Sequence, residues 1–284
     1  MDVLRTRNDI TQWSRRMRAA GETIVLVPTM GALHEGHLSL VDQARTHGTK
    51  TVVSIFVNPK QFNVTADLER YPRDEARDLA LLAERGVDLV FAPDESVIYP
   101  ERFSSHVSVR ALTECYEGAG RPGHFAGVTT VVTILFNLVA PHAAVFGEKD
   151  FQQLRVIEQM VGDLGVDIEI LRAPLVREED GLAMSSRNVR LSSEGRIQAL
   201  VLGRSLRRAA EERRNQSRQS EDIVLAAMSE LNPLIESKQI TLEYLVVVDE
   251  ETLEPILDIA PEHPARILVA AMVEGVRLLD NMPL

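Results

Sequence analysis

The sequence predicts an α/β protein: a parallel sheet with helices on both faces, followed by a smaller α+β C-terminal domain. Three observations predict it. Short apolar, β-branched runs alternate with segments of helical periodicity through most of the chain. The stretch Val27–Leu40 (Val-Pro-Thr-Met-Gly-Ala-Leu-His-Glu-Gly-His-Leu-Ser-Leu) joins one such run to a helix through a turn holding two glycines and two histidines. From Ser192 onward the order changes to helices followed by adjacent strands.

Residues from about 8 to 20 have helical spacing, with Asn8 or Asp9 able to cap them. Thr23–Val27 is a buried strand, and Leu38, Leu40, Val41 and Ala44 mark a helix to about Arg45. Thr51–Val57 is a second buried strand, ended by Asn58-Pro59. Pro72 suits the first turn of a helix to about Arg85, with Gly86 as its stop. Val87–Ala92 is a third strand, closed by Pro93. Strand, helix, strand, helix, strand is the pattern of a parallel sheet.

The pattern loosens from Glu101 to Val128, and the Gly-rich segment Gly118–Gly127, with Arg121 and His124, reads as a loop that either covers a site or connects elements. A helix from about Val128 to Val139 is apolar nearly all round and should be buried. Ala143–Phe146 is a fourth strand, Gly147–Asp150 its carboxyl-end turn, and Gln152, Gln153 and Arg155 fall in the next helix. Val166–Leu171 alternates as an edge strand does. A helix to about Arg214, a polar linker Asn215–Ser220, a helix ending before Pro233, and strands Leu242–Val248 and Ala265–Ala271 form the α+β part. The expected domains are 1–176 and 177–284, with Met184-Ser-Ser-Arg187 at the junction.

In the Val27–Leu40 turn, Gly31 and Gly36 let backbone approach a ligand without a Cβ in the way. His34 and His37, three apart, share one side of a helix that starts there. The unpaired amides and positive potential of a helix N-terminus suit phosphate, and two imidazoles add donors that follow developing charge. Gly31 and Gly36 do not make GxGxxG, and no Gly-Lys-Ser/Thr follows a strand, so a nucleotide site at this turn would be of another kind. Asn58, Gln61 and Asn63 lie just past a strand's carboxyl end, where open α/β sheets place ligands; turn chemistry accounts for them equally well. Lys149 stands at a strand end beside a helix start. Ser185, Ser186 and Arg187 offer hydroxyls and a guanidinium that can take two phosphate oxygens at once.

The net charge of −11 argues against a broad polyanion-binding surface, so no nucleic-acid partner is expected. The single cysteine, Cys115, excludes an internal disulfide and a cysteine-rich metal site, and reads as a packed thiol. The N-terminus lacks the apolar core of a signal peptide and no apolar run reaches spanning length, so a soluble cytoplasmic protein with no membrane partner is expected.

His34-Glu-Gly-His37 resembles the HIGH motif of class I nucleotidyltransferases, and Met184-Ser-Ser-Arg187 sits where their KMSKS loop would. The larger set resembles the pantothenate synthetase (pantoate–β-alanine ligase) family: Pro28–His37, Phe56–Phe62, Tyr71-Pro-Arg73, Arg121–Phe125, Phe146–Leu154 and Arg177–Asn188, in order along most of residues 23 to 192. Beyond that, the resemblance is one of layout. It implies a Rossmann-like parallel sheet and an ATP-dependent condensation of pantoate with β-alanine through a pantoyl adenylate. It implies an ATP site of Met30, Gly31, Ala32, Leu33, His34, Glu35, Gly36, His37, Gly147, Glu148, Lys149, Asp150, Val176, Met184, Ser185, Ser186 and Arg187. His37, His34, Lys149 and Arg187 would be catalytic, with His37 the general acid toward pyrophosphate. Gln61 and Gln153 would bind pantoate or β-alanine, with Asn58, Thr29 and Met30 beside them. Mg²⁺ would come with ATP, with no metal ligands from the protein, and the family implies a homodimer.

Four departures from the family pattern avoid these residues: Ile134 for a lysine, Pro141-His142 for Pro-Asp, Ala66-Asp67 for an acidic pair, and Arg190 for an aromatic. Two other readings compete: another HIGH-motif adenylyltransferase, and a non-catalytic nucleotide sensor on the same fold. A tRNA-binding enzyme would need a basic face, which the charge disfavours.

Overall fold

The computed structural model describes residues 1–284, which divide into two compact units. The first is Met1–Glu148 with Gln152–Pro174; the second is Leu175–Leu284 with Lys149–Phe151.

Six strands form the sheet of the first unit: β1 (Asp2–Leu4), β2 (Ile24–Thr29), β3 (Lys50–Ile55), β4 (Leu89–Phe91), β5 (Ala143–Gly147) and β6 (Glu169–Ala173). Their order is β1-β4-β3-β2-β5-β6, and every pairing is parallel. The strands expected from apolar runs are present, and β6 lies at the sheet edge as its alternation requires. β1 pairs with β4 as an additional edge strand, and its three residues, Asp-Val-Leu, largely exposed, are too few to show a strand pattern in the sequence.

The helices around this sheet are α1 (Arg7–Ala19), α2 (Glu35–His47), α3 (Thr65–Glu69), α4 (Glu75–Glu84), α5 (Glu95–Ile98), α6 (Tyr116–Gly120), α7 (His124–Val139) and α8 (Phe151–Asp163). On one face, Val25 and Val27 of β2, Val53, Val90 and Val145 pack with Leu38, Val41 and Ala44 of α2 and Leu82 of α4. The alternate positions Ile24, Leu26 and Val52 are equally buried and turn to the other face, where α1 and α7 pack against β2. Burial of each such side chain contributes about 1.5–3 kcal/mol.

Several helix boundaries differ from the sequence expectation. Helix α1 is capped by Thr6, whose hydroxyl accepts from the Asp9 amide, because only a residue in extended conformation ahead of the helix can present its side chain there. Helix α4 begins at Glu75, with Asp74 as the cap, and Pro72 stays outside it. The segment Gly118–Gly127 is not an open loop: α6 occupies its start, and α7 begins at His124, four residues before Val128. Its glycines serve close packing, since a Cβ on Gly127 would stand 2.4 Å from the Lys60 carbonyl oxygen and one on Gly118 1.9 Å from that of Thr113.

In the second unit, α9 (Ser193–Arg214) and α10 (Ser220–Glu236) cover an antiparallel sheet of β7 (Ile240–Asp249), β8 (Ala265–Val273) and β9 (Val276–Pro283). Ser192 caps α9 through the Gly195 amide. Leu202, Leu206, Ile223, Leu231, Ile267 and Val269 lie in its core. Helix α10 runs through Pro233 instead of stopping before it. The ring forfeits one amide donor within the last turn, and the Ser237 hydroxyl caps the proline carbonyl. Strand β9, not foreseen, follows β8 through a two-residue turn, Glu274-Gly275, at φ 50° and 75°.

Candidate active site

The turn between β2 and α2 is held from three sides. Thr29 Oγ1 donates to the Ser54 carbonyl (2.7 Å) and accepts from the Gly31 amide (3.2 Å). Gly31 has φ 76°, and a Cβ there would meet Asp78 Oδ2 at 2.9 Å. Asp78, 1 % exposed, accepts the amides of Ala32 and Leu33, both at 2.8 Å. Ala32 is thereby kept at φ 51°, a region alanine rarely enters. Arg77 donates to the Leu33 carbonyl at 3.0 Å. Burial pushes the Asp78 carboxyl above its ordinary value, and the two amides oppose that shift.

The chain leaves this clamp in extended conformation at His34, the N-cap residue of α2, and His37 lies in the first turn. Their ring centroids lie 4.0 Å apart with the planes tilted by 37°, on one side of the helix start as the three-residue spacing predicts. Leu33 is buried in the core, and the exposed Glu35 side chain pairs with Arg85 at 2.7 Å. Any contact of these two with a ligand would therefore run through their backbone.

Strand order reverses between β2 and β5: from β2 the chain moves outward to β3, and from β5 it moves outward to β6 on the opposite side. The carboxyl ends at this switch point carry Thr29 with the His turn, and Gly147 with Glu148. Parallel α/β sheets take ligands there, because no crossover covers the crevice and helix N-termini point into it.

Beyond β3, Asn58 caps a 3-10 turn, Pro59–Gln61. Asn58 is 1 % exposed and its amide is fully used: Nδ2 donates to Gln61 Oε1 (3.0 Å) and the Gly127 carbonyl (3.1 Å), while Oδ1 accepts from Tyr99 Oη (2.7 Å) and the Lys60 amide (3.3 Å). The Gln61 carbonyl accepts from His124 Nδ1 (2.8 Å) and Arg121 Nη2 (3.1 Å). Arg121 Nη1 lies 3.2 Å from His124 Nε2. A guanidinium only donates and a carbonyl only accepts, so His124 carries its proton on Nδ1. The segment read as either a cover or a connector thus serves as a bracket behind Gln61.

Of the two adjacent glutamines of α8, Gln153 is half-buried, while Gln152 is locked by the Glu117 amide and the carbonyls of Leu112 and Cys115. Burial raises the Cys115 thiol, which suits packing. His142, one of the departures, serves the sheet: its Nδ1 accepts the Ile24 amide at 2.9 Å, at the start of β2.

Lys149, Asp150, Val176 and Met184–Arg187 belong to the second unit. The Lys149 carbonyl accepts from Asn281 Nδ2 at 3.0 Å, and Lys149 Nζ meets Asp150 Oδ1 at 3.2 Å. The segment before Met184 is braced as a small hairpin. Arg177 bridges to Ala183, the Met184 amide donates to the Val176 carbonyl, and Asn188 Nδ2 donates to Glu178 and to the Ala183 carbonyl. Arg177 makes a two-point pair with Asp280 at 2.7 and 2.9 Å. Burial pushes the Asp280 carboxyl up, and this guanidinium opposes it. Met184 to Arg187 are half-buried, and Ser185 Oγ accepts the Arg187 amide.

Sequence reasoning missed Asp78, Tyr99 and Asn281, and named Gln152 without giving it a role. Each acts through backbone or another side chain, so no spacing marks it.

The sheet order and the helix start at its switch point define a Rossmann-like α/β fold with a small antiparallel C-terminal unit. The chain belongs to the pantoate-beta-alanine ligase family, whose match spans residues 2–283, and is a ligase. It is 47% identical over 282 residues to the pantothenate synthetase of Rhizorhabdus wittichii, covering 99% of this chain and 98% of the relative. The crystal structure of pantothenate synthetase from Thermus thermophilus superposes with a TM-score of 0.91 at 46% identity, covering 99% of both chains. That of pantoate-beta-alanine ligase from Francisella tularensis, complexed with beta-gamma ATP and beta-alanine, gives 0.82 at 32% identity, covering 99% of this chain and 97% of that one.

Proposed function

We infer that the chain condenses (R)-pantoate with β-alanine at the expense of ATP, giving pantothenate, AMP and pyrophosphate. The pantoate carboxylate attacks the α-phosphorus of ATP and pyrophosphate leaves, giving a pantoyl adenylate. The β-alanine amine then attacks the acyl carbon of this mixed anhydride, loses a proton, and AMP leaves. The observation that carries this reading is the His34–His37 pair, 4.0 Å apart at the helix start on the sheet's switch point, in a chain of this family.

An anion attacking an anionic phosphate needs neutralised charge and in-line positioning. The backbone from Met30 to His37, with Gly147 and Glu148, lines the nucleotide; Asp150 and Val176 take its ribose and adenine side. His34 and His37 donate to the phosphates, and His37 is the general acid toward pyrophosphate. Lys149, Ser185, Ser186 and Arg187 hold the phosphate chain, with Met184 beside them. Gln61 and Gln153 bind the substrate acids, with Thr29 and Met30 nearby, and Asn58 acts through Gln61. Mg²⁺ carried by the triphosphate would neutralise part of its charge; no group of three or more His, Cys, Asp or Glu side chains is placed to hold a metal. The same reading makes the protein a cytoplasmic homodimer without a nucleic-acid partner. No helix is long and apolar enough to cross a membrane.

Pyrophosphate–ATP exchange with pantoate present and β-alanine absent tests the reading. Exchange that requires pantoate establishes the adenylate half-reaction. His37→Ala should lower it about 10²–10³-fold, the usual effect of removing one donor to a developing charge. ATP binding without exchange would overturn the two-step mechanism and favour a nucleotide sensor.

A further inference from the structure

The hydrogen bonds around Gln61 have a direction, and that direction is set by groups that cannot be reversed. The Gly127 carbonyl only accepts, so the Asn58 atom 3.1 Å from it must be Nδ2. The Lys60 amide only donates, so the atom at 3.3 Å must be Oδ1. These two backbone groups fix the Asn58 amide independently of any side chain. Tyr99 Oη, 2.7 Å from Oδ1, must then be the donor. Tyr99 is buried, and burial pushes its phenol well above the ordinary tyrosine range, so the proton it donates stays in place. The second Asn58 hydrogen goes to Gln61 at 3.0 Å, which makes that acceptor Oε1. Every side-chain hydrogen bond of Gln61 thus runs through its oxygen. The main chain is held as well, with its carbonyl gripped by His124 and Arg121.

We propose that Tyr99 and Asn58 are positioning residues that fix the polarity of the Gln61 amide, so that Gln61 meets its substrate as a donor through Nε2. The atom it recognises is an acceptor oxygen of the substrate acid, a carboxylate or hydroxyl oxygen. A glutamine free to flip would offer its carbonyl half the time, and a carboxylate facing a carbonyl is repelled. Asn58 itself keeps no hydrogen for a ligand, since both are committed. The identity of the acid rests on the proposed function; the polarity does not.

Two measurements test this. In protein labelled with ¹⁵N at asparagine and glutamine, without ligand, the Asn58 side-chain protons should exchange with water at least about tenfold more slowly than those of Gln61. Pantoate should then move the Gln61 side-chain signals. In steady-state kinetics, Asn58→Asp presents oxygen where Nδ2 stood, turns the Gln61 amide around, and should raise the KM for pantoate about thirtyfold while the KM for ATP stays within about threefold. Tyr99→Phe removes one donor from Oδ1 and should shift the pantoate KM in the same direction by about threefold; it decides the matter if Asn58→Asp fails to fold. Protected Gln61 protons with freely exchanging Asn58 protons overturn the proposal. So does a parallel rise of both KM values in the variants. The expected protection pattern without any response to pantoate upholds the polarity and overturns the substrate reading instead.

Discussion

Asp78 accepts the Leu33 amide through Oδ1 and the Ala32 amide through Oδ2, each at 2.8 Å, and so spans the turn that delivers His34 to the start of α2. The carboxylate replaces solvent for two donors that the left-handed Ala32 would otherwise leave buried. Asp78→Asn keeps the shape but turns an NH₂ group toward one of those donors. The expected loss is about 1–3 kcal/mol of unfolding free energy, read from urea denaturation. ATP affinity should fall with it, since the helix start moves with the turn. Unchanged stability and ATP affinity would mean that the turn holds itself.

Gly127 lies against the 3-10 turn that carries Gln61. A Cβ there would stand 2.4 Å from the Lys60 carbonyl oxygen and 2.8 Å from the Gln61 nitrogen, both backbone atoms that cannot step aside. Gly127→Ala should cost about 1–3 kcal/mol and raise the KM for pantoate. Gly162, in α8, is the control, because a Cβ there meets nothing within 4 Å. Gly162→Ala should gain about 0.5–1 kcal/mol from helix propensity alone. Differential scanning calorimetry on the two variants checks the opposite signs.

The legible parts of this chain are those where burial and periodicity coincide. Strands β2, β3 and β5 are apolar on both faces because helices cover both, and α2 shows its apolar stripe. The His turn is legible because two imidazoles and two glycines are costly in a plain connector. Strand β9 was hidden because two of its buried positions are Asp280 and Asn281, which break the apolar alternation. Asp78 was hidden for a related reason: Glu75-Ala-Arg-Asp reads as the solvated start of a helix, and only tertiary structure buries the last of the four. The Gly118–Gly127 segment misled because its glycines permit close approach, at Thr113 and Lys60, instead of flexibility. Its Arg121 and His124 point back to the Gln61 carbonyl.

Glu274 joins the β8–β9 turn to the start of α9. Its carboxylate accepts from Ser192 Oγ (2.6 Å) and the Ser192 amide (2.9 Å), which hold it below the ordinary glutamate range. The folded state therefore binds this proton less readily than the unfolded chain. The cap's stability is fully present above the ordinary glutamate pKa and is lost as pH falls through the depressed value. Glu274→Gln should lower the urea midpoint near neutral pH, and the gap to the unaltered protein should close in acid. A gap independent of pH would show that charge plays no part in the cap.

Asn281 ties the C-terminal strand to Lys149. Arg266 Nη1 donates to Asn281 Oδ1 at 2.6 Å, so the Asn281 amide has one orientation, and Nδ2 must donate to the Lys149 carbonyl at 3.0 Å. Arg266 is itself fixed by Glu250 at 2.8 Å and by the Phe151 ring, 4.0 Å from its guanidinium carbon. Asn281→Asp keeps the bond to Arg266 and sets a carboxylate oxygen against the carbonyl of Lys149, releasing the backbone that aims this lysine. On the proposed phosphate role of Lys149, the KM for ATP should rise about 5–30-fold, while the KM for pantoate changes little. The decisive comparison is a double-mutant cycle with Lys149→Ala. If Asn281 acts through Lys149, its substitution should add almost nothing once the lysine side chain is gone. An undiminished effect in that background would mean that Asn281 supports the second unit generally and does not aim the lysine.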